Sequence, residues 1–365
     1  MRVLFVSLNH SIAFGGVERW MMDAGAGLVA RGHDCAMLGR PGAPWVRAAR
    51  QRGLRVHEDH YGPWIARVAR TRAVMQAERP DVVVAKGKKA ARMAAWGRAT
   101  GARGRVALFF GLTHELDPER WVDRYTWRRT DAGITVAHGA SRWYAEHGFG
   151  PATKLHALWK GVELAPFDLG IATRVATREA LGLADDELAI GTACRMAWQK
   201  GIDHLLDAIR IVHGRIGRAR FFIVGDGRER PEIEAAARDL DGTVRFLGQR
   251  DDVPALLAAL DLFVQPSRQE VMVQTTLEAM AAGRAVVSTR TVGADEAIED
   301  GASGVLVPVG DPAAMAEAIA ALAVDARRRA ALGRAARARV ESTFTMTHML
   351  DRAEQVLARI AVGGQ

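Results

Sequence analysis

The sequence predicts an α/β protein of two doubly wound domains, each a parallel sheet covered by helices. Three observations predict it. Short β-rich runs alternate with helical patterns from one end of the chain to the other, which is how parallel sheets with crossover helices read. The chain has 365 residues, enough for two cores at roughly 150 residues per domain. Its composition, 49% hydrophobic and 25% charged, is that of globular domains rather than of a disordered or fibrous chain.

In the first half, strands are expected near residues 2–8, 34–38, 81–85, 106–110 and 133–136. In the second they fall near 188–193, 220–224, 244–247, 262–265, 285–289 and 305–307. Amphipathic helices lie between them, for example at 202–212 and 254–260, and an Ala/Arg-rich helical stretch covers 325–340. The first domain takes residues 1–165 and the second 166–344, joined by a linker near 160–169. A final helix is expected at 345–362, packing back on the first domain. In open parallel sheets ligands collect at the carboxyl ends of the strands, where helix N-termini face outward. The loops after the strands are therefore where chemistry is sought.

Composition excludes several classes. The longest apolar runs, such as Val3-Leu4-Phe5-Val6, fall far short of the ~20 residues that span a bilayer. Asn9 and His10 interrupt any long apolar leader, so a secretory signal is not expected. Cys35 and Cys194 have no partner spacing for zinc or iron–sulfur and read as reduced cytoplasmic thiols.

Charge is distributed unevenly. Residues 1–165 hold 26 Lys+Arg against 14 Asp+Glu, the remaining 200 hold 24 against 28, and eight of nine tryptophans lie in the first segment. Such a basic, Trp-rich half suits an acidic partner, a membrane surface or an anionic glycan. Alternatively, the charges form solvated helix faces. Lys86, Lys88 and Lys89 form a cationic cluster at a strand's end, and Trp64, Trp121, Trp127 and Trp143 are candidates for an amphipathic surface.

The most informative segment is GTACRMAWQKG, residues 191–201. It begins on a strand and places Arg195 and Lys200 in the following loop, where a planar fork and a point charge can clamp a diphosphate. Lys200 is the only lysine between Gly161 and Gln365, where arginine is otherwise used 23 times. The second segment is SRQEVMVQTTLEAMAAG, residues 267–283. A helix beginning around Gln274–Thr275 would point the amides of Thr275 and Thr276 at an anion. Glu278, one turn in, can accept hydrogen bonds from the vicinal hydroxyls of a ribose, and Glu270 can hold hydroxyls of a sugar beyond the phosphates. Read singly, Glu278 is equally an ordinary surface glutamate and Glu270 a helix cap.

R-x(4)-K-G followed by E-x(7)-E resembles the GT-B-fold retaining glycosyltransferases of family 4, the group 1 glycosyl transferases. FGGVERW at 14–20, KGVELAPF at 160–167, VGDG at 224–227, FLG at 246–248 and VGADEAI at 292–298 stand in that family's order. The resemblance implies a GT-B architecture of two Rossmann-like domains facing a cleft, the first binding acceptor and the second nucleotide-sugar. It implies that Arg195 and Lys200 bind the donor diphosphate, that Glu278 takes the ribose, and that Glu270 holds the transferred sugar near its anomeric carbon. Gly15 and Gly16 would let backbone approach the phosphates, Asp226 and the Gly248–Gln249 turn would lie near the nucleobase, and His114 would face the donor sugar. The sequence departs from the pattern in Val271-Met272-Val273 after Glu270, where Gly-Phe-Pro is usual, in Lys160 for Asn and in Glu163 for Asp.

The implied activity is transfer of a sugar from a nucleotide-sugar to an acceptor hydroxyl with retention, without a metal or other cofactor. The basic first domain suits a glycan or lipid-linked envelope acceptor such as lipopolysaccharide core, reached from the cytoplasm at the inner face of the plasma membrane. Asp239-Leu240-Asp241 is read as a surface turn rather than a metal site. The alternatives are a GT-B-fold sugar-nucleotide epimerase and a non-catalytic module binding anionic surfaces; nucleic acid is not an expected partner.

Overall fold

The computed structural model describes residues 1–8, 16–59, 62–110, 117, 120–149, 151–272 and 274–363. It divides into two compact units, Met1–Lys160 with Thr347–Gln365, and Gly161–Met346.

The first unit holds a seven-stranded sheet of β1 (Arg2–Ser7), β2 (Asp34–Gly39), β3 (Arg55–Glu58), β4 (Val82–Lys86), β5 (Arg105–Phe109), β6 (Ala132–Thr135) and β7 (Leu155–Ala157). The order is β3-β2-β1-β4-β5-β6-β7, with every pairing parallel. The central strands are buried on both faces, which explains why Val3–Val6 and Val82–Ala85 are unbroken apolar runs. Helices pack a core that includes Leu4, Val6, Val83, Met93, Phe110 and Tyr144.

Two strands have no counterpart in the sequence reading. β3 is largely polar and β7 only three residues long, and both are sheet edges. An edge strand needs no apolar run and is commonly kept short.

The second unit holds β8 (Leu188–Ala193), β9 (Ala219–Val224), β10 (Val244–Gly248), β11 (Leu262–Gln265), β12 (Ala285–Thr289) and β13 (Val305–Val307). Their order is β10-β9-β8-β11-β12-β13, again all parallel. The helix Ile202–Val212 buries Ile202, Leu205, Leu206, Ile209 and Val212, the stripe its 3.6-residue spacing predicts. Asp325 accepts from the backbone N–H of Arg328 and so caps the helix Ala326–Thr343, whose Ala/Arg-rich sequence favours helix.

The last helix, Met346–Val362, belongs to the first unit from Thr347 onward. Its Leu350 lies against Gly27, where a Cβ would come within 2.4 Å of the leucine. Arg31 pairs with Asp351 at 2.7 Å and Glu354 at 3.0 Å. At the start of this helix Met346 N donates to Val162 O at 3.0 Å, while Val162 N donates to Phe344 O at 2.8 Å. Both bonds lie within the second unit. Among the described residues no helix is long and apolar enough to cross a membrane.

Candidate active site

In the second unit the strand order reverses between β8 and β11. The crevice outside the carboxyl ends at such a reversal is where open parallel sheets bind ligands. The chain leaving β8 carries Arg195 into the 3₁₀ turn Trp198–Lys200, and the chain leaving β11 carries Glu270 to the helix Gln274–Ala281.

Backbone chemistry holds these two loops together. Gly201 sits at φ +62°, and a Cβ there would lie 2.2 Å from Pro266 O. Only glycine accepts both the left-handed conformation and that approach, which accounts for the glycine of the K-G pair. Arg268 supplies the rest of the brace. Its N–H donates to Gln199 O at 2.9 Å and its guanidinium to Trp198 O at 3.0 Å and Asp203 Oδ1 at 2.7 Å. The same guanidinium lies 5.2 Å over the Trp198 ring.

Across this brace Lys200 Nζ donates to Glu270 Oε1, joining two residues 70 positions apart in one ion pair. Arg195 is exposed and makes no ion pair among the described residues. Thr275 Oγ1 donates to the buried Gln265 at 3.4 Å, and Thr276 is 1% exposed with a hydroxyl lacking any partner among the described residues. Both lie in the first turn of their helix, where four backbone N–H groups have no intrahelical acceptor and the dipole favours an anion. Glu278 is half-buried in the same helix.

A second seam brings in the ends of β9 and β10. Cβ atoms at Gly225 and Gly227 would lie 1.9 Å from Cys194 O and 2.1 Å from Met196 O. With both positions bare, Cys194 N donates to Val224 O at 3.0 Å and Met196 N to Asp226 O at 2.9 Å. Gly225 N donates in turn to Gly248 O at 2.8 Å. Asp226 and the Gly248–Gln249 turn therefore border the loop that carries Arg195. The exposed Asp226 carboxyl is held below the usual carboxylate range by the N–H of Gly227 and then by Arg230 at 3.1 Å.

The first unit presents its own strand ends. Gly16 opens the helix Gly16–Ala30, and a Cβ on it would lie 2.6 Å from Lys160 Nζ. The lysine that departs from the linker pattern therefore brings a cation beside the glycine loop. Glu18, 1% exposed, accepts from Ser7 Oγ at 3.1 Å and from Lys86. Gly15, His114 and Val273 lie outside the described residues.

One reading of the basic half is corrected. Lys86 and Lys88 are not a free cationic cluster, because buried carboxylates face them: Glu18 takes Lys86, and Asp123 takes Lys88 at 3.0 Å with Arg92 at 3.1 Å. Trp127 is buried beneath Lys154, whereas Trp64 and Trp121 remain exposed. In the Asp239-Leu240-Asp241 turn, Asp239 is engaged by Arg210 at 2.7 Å and Asp241 accepts from Gly242 N. Burial pushes the thiols of Cys35 and Cys194 up to about 12 and about 11, so both are protonated at neutral pH and neither is a nucleophile.

Sequence reasoning missed Arg268 and the roles of Lys160 and Glu18. Arg268 carries no signal beyond residue type, because its partners are remote in the chain, and Lys160 stands out only as a departure from the linker pattern. Glu18 stands inside the FGGVERW motif, and its burial within an apolar helix face could have marked it.

Two Rossmann-like units whose site residues gather at strand carboxyl ends define a GT-B-type protein. The UDP complex of Anabaena HepE superposes with a TM-score of 0.84 at 22% identity, over 98% of this chain and 100% of that one. A glycosyl transferase 4-like domain model matches residues 15–159 and a glycosyl transferases group 1 model residues 187–325. The chain belongs to the group 1 glycosyltransferases. It is 27% identical over 353 residues to the lipopolysaccharide core biosynthesis glycosyltransferase LpsE of Rhizobium meliloti (strain 1021), covering 94% of this chain and 96% of that one. It is 32% identical to a GDP-mannose-dependent alpha-(1-6)-phosphatidylinositol monomannoside mannosyltransferase of Mycolicibacterium smegmatis, over 66% of each chain.

For a transferase, the brace makes Arg268 a positioning residue. Arg268→Ala is expected to lower kcat by about 10- to 100-fold, the scale of a small misplacement at a reacting centre. Thermal unfolding should hardly move, and Arg268→Lys should recover part of the rate. An unchanged kcat in R268A refutes the role.

Proposed function

We propose that this protein transfers a sugar from a nucleotide-sugar donor to an acceptor hydroxyl with retention at the anomeric carbon, and that it does so without a metal. The observation that carries the reading is the Lys200–Glu270 pair at the reversal between β8 and β11, with Arg195 exposed in the same loop. In this reading Arg195, Lys200 and the amides of Thr275 and Thr276 receive the diphosphate. Glu278 accepts from the ribose hydroxyls, and Asp226 with the Gly248–Gln249 turn borders the base. Gly16 admits the phosphates close to backbone in the first unit, with Gly15 beside it. Glu270 and His114 orient the sugar.

As the bond from anomeric carbon to phosphate oxygen breaks, negative charge grows on the diphosphate and the carbon becomes oxocarbenium-like. Cations fixed in advance stabilise that charge without reorganising, which is the largest single contribution in many enzymes. The acceptor oxygen bonds to the carbon on the face the diphosphate leaves. The acceptor proton passes to the departing phosphate oxygen, and nucleoside diphosphate is released. No separate protein base is required.

The printed activities of the relatives, one in lipopolysaccharide core synthesis and one on a phosphatidylinositol mannoside, support a glycan or lipid-linked envelope acceptor. Trp64 and Ile65, which follow β3, and Trp121 are 42%, 80% and 76% exposed. They support peripheral contact with an anionic membrane from the cytoplasmic side.

The test is incubation of the purified protein with UDP-, GDP-, ADP- and dTDP-sugars and deacylated lipopolysaccharide core, with chelator present. One donor should be consumed only with acceptor, giving a product of unchanged anomeric configuration by NMR. Epimerisation of the donor alone, or an inverted product, rejects the reading.

A further inference from the structure

The first unit contains a cavity of about 520 Å³ away from the residues assigned to transfer. It runs along β7, the edge strand, and is walled on its other side by the last helix. Arg105 opens β5, Asp131 stands just before β6 and Lys154 just before β7. Arg105 and Lys154 therefore line it at the amino ends of these strands, and the lining continues along β7 to Ala157 and to His138 past the end of β6.

Its lining is strongly one-signed. Arg105, Lys154, Arg352 and Arg359 face it, with Asp131 as the one carboxylate in the wall. That carboxylate is already committed: it pairs with Arg98, takes Arg105 at 3.0 Å and accepts from Val106 N at 2.7 Å. Lys154 donates to Trp127 O at 2.9 Å and meets no carboxylate oxygen among the described residues. Arg352 and Arg359, seven residues apart and so two turns along one face of the helix, make no ion pair among the described residues. Burial lowers Lys154 to about 8, and burial followed by the charges of Arg359 and Arg352 lowers His156. At Lys154 burial outweighs the opposing pull of Asp131, and no carboxylate is among the causes of the His156 shift.

We infer that this cavity is a binding site for a soluble, multiply charged phosphate compound, held by Arg352 and Arg359 from the helix and Lys154 from the strand edge. Two arginine forks match phosphate oxygens bidentately and Lys154 adds a point charge. The volume lies in the range of small-molecule sites and exceeds what one phosphate fills. The exposed residues Trp64 and Ile65 follow the carboxyl end of β3. A bilayer touching that end of the sheet leaves the part of the cavity lined by Arg105 and Lys154 in solution, which favours a soluble ligand over a lipid headgroup. The site stands apart from the proposed transfer chemistry, and only the choice of a soluble ligand rests on the membrane contact proposed above.

The test is calorimetric titration of the full chain with inorganic pyrophosphate. Arg352→Ala/Arg359→Ala should bind one site's worth at least 10-fold more weakly, and its far-UV spectrum and melting curve should be unchanged because both side chains are exposed. Arg195→Ala/Lys200→Ala should keep that site while losing any pyrophosphate bound near β8. Lys154→Gln supplies a second probe from a different element. If R352A/R359A and K154Q both titrate like the parent chain, or if R195A/K200A abolishes all binding, the inference falls. A parallel flotation of parent and R352A/R359A with phosphatidic acid/phosphatidylcholine vesicles separates the sources. Equal flotation is the expected result, and selective loss by the variant would overturn the soluble ligand in favour of a headgroup.

Discussion

Replacing Lys200 with Ala is expected to reduce kcat/KM for the nucleotide-sugar by about 10³-fold, at the upper end for removal of a single charge-stabilising donor. Two losses combine. In the proposed mechanism the ammonium assigned to the developing diphosphate is gone, and Glu270, only 14% exposed at its side chain, is left as an unpaired anion beside the proposed diphosphate site. Burial of an uncompensated charge is what makes breaking one half of such a pair costly. The Glu270→Gln variant should lose rate as well, because the sugar then faces an amide. The informative measurement is the double variant. Lys200→Ala/Glu270→Gln should bind donor more tightly than Lys200→Ala alone, a non-additivity that reports contact between the two. A Lys200→Ala enzyme within 10-fold of the parent rate would remove this residue from the mechanism.

Gly201→Ala should be among the most damaging small substitutions in the second unit. The left-handed backbone costs an L-residue roughly 1–2 kcal/mol, and a methyl 2.2 Å from Pro266 O must push the two loops apart, adding about 1–3 kcal/mol of overpacking. A loss of about 3 kcal/mol in urea unfolding is expected, together with loss of transfer, since the loops carrying Lys200 and Glu270 separate. Gly283→Ala is the control. It has φ +70° with no atom within 4 Å of the new methyl, so only the backbone cost of roughly 1–2 kcal/mol applies. Equal destabilisation by the two would show that contact with Pro266 is unimportant.

How far the sequence carried the reading differs between the two units. All six strands of the second unit were visible, because strands such as β11 and β12 are buried on both faces and leave continuous apolar runs. In the first unit the edges escaped. β3 reads Arg-Val-His-Glu and β7 is Leu-His-Ala, and neither length nor pattern separates them from loop. At the site, spacing and the family resemblance singled out the residues of two short segments, and the structure brings Lys200 and Glu270 of those segments together. Residues whose meaning lies in a distant partner were not legible. Arg268 finds Asp203 across 65 positions and Lys86 finds Glu18 across 68, and nothing in a linear string announces such pairs. Lys86 consequently read as surplus charge, although a buried carboxylate neutralises it.

The bare methylene positions flanking Asp226 have an evolutionary corollary. With 225 and 227 both pressed against carbonyl oxygens of the β8 loop, no descendant of this chain can hang a new side chain from either without prising that seam open. Diversification of the turn is funnelled through a single letter, position 226, and through Gln249 on the neighbouring turn. Under the proposed placement of the base, a library randomised at those two sites samples the side chains that would border it.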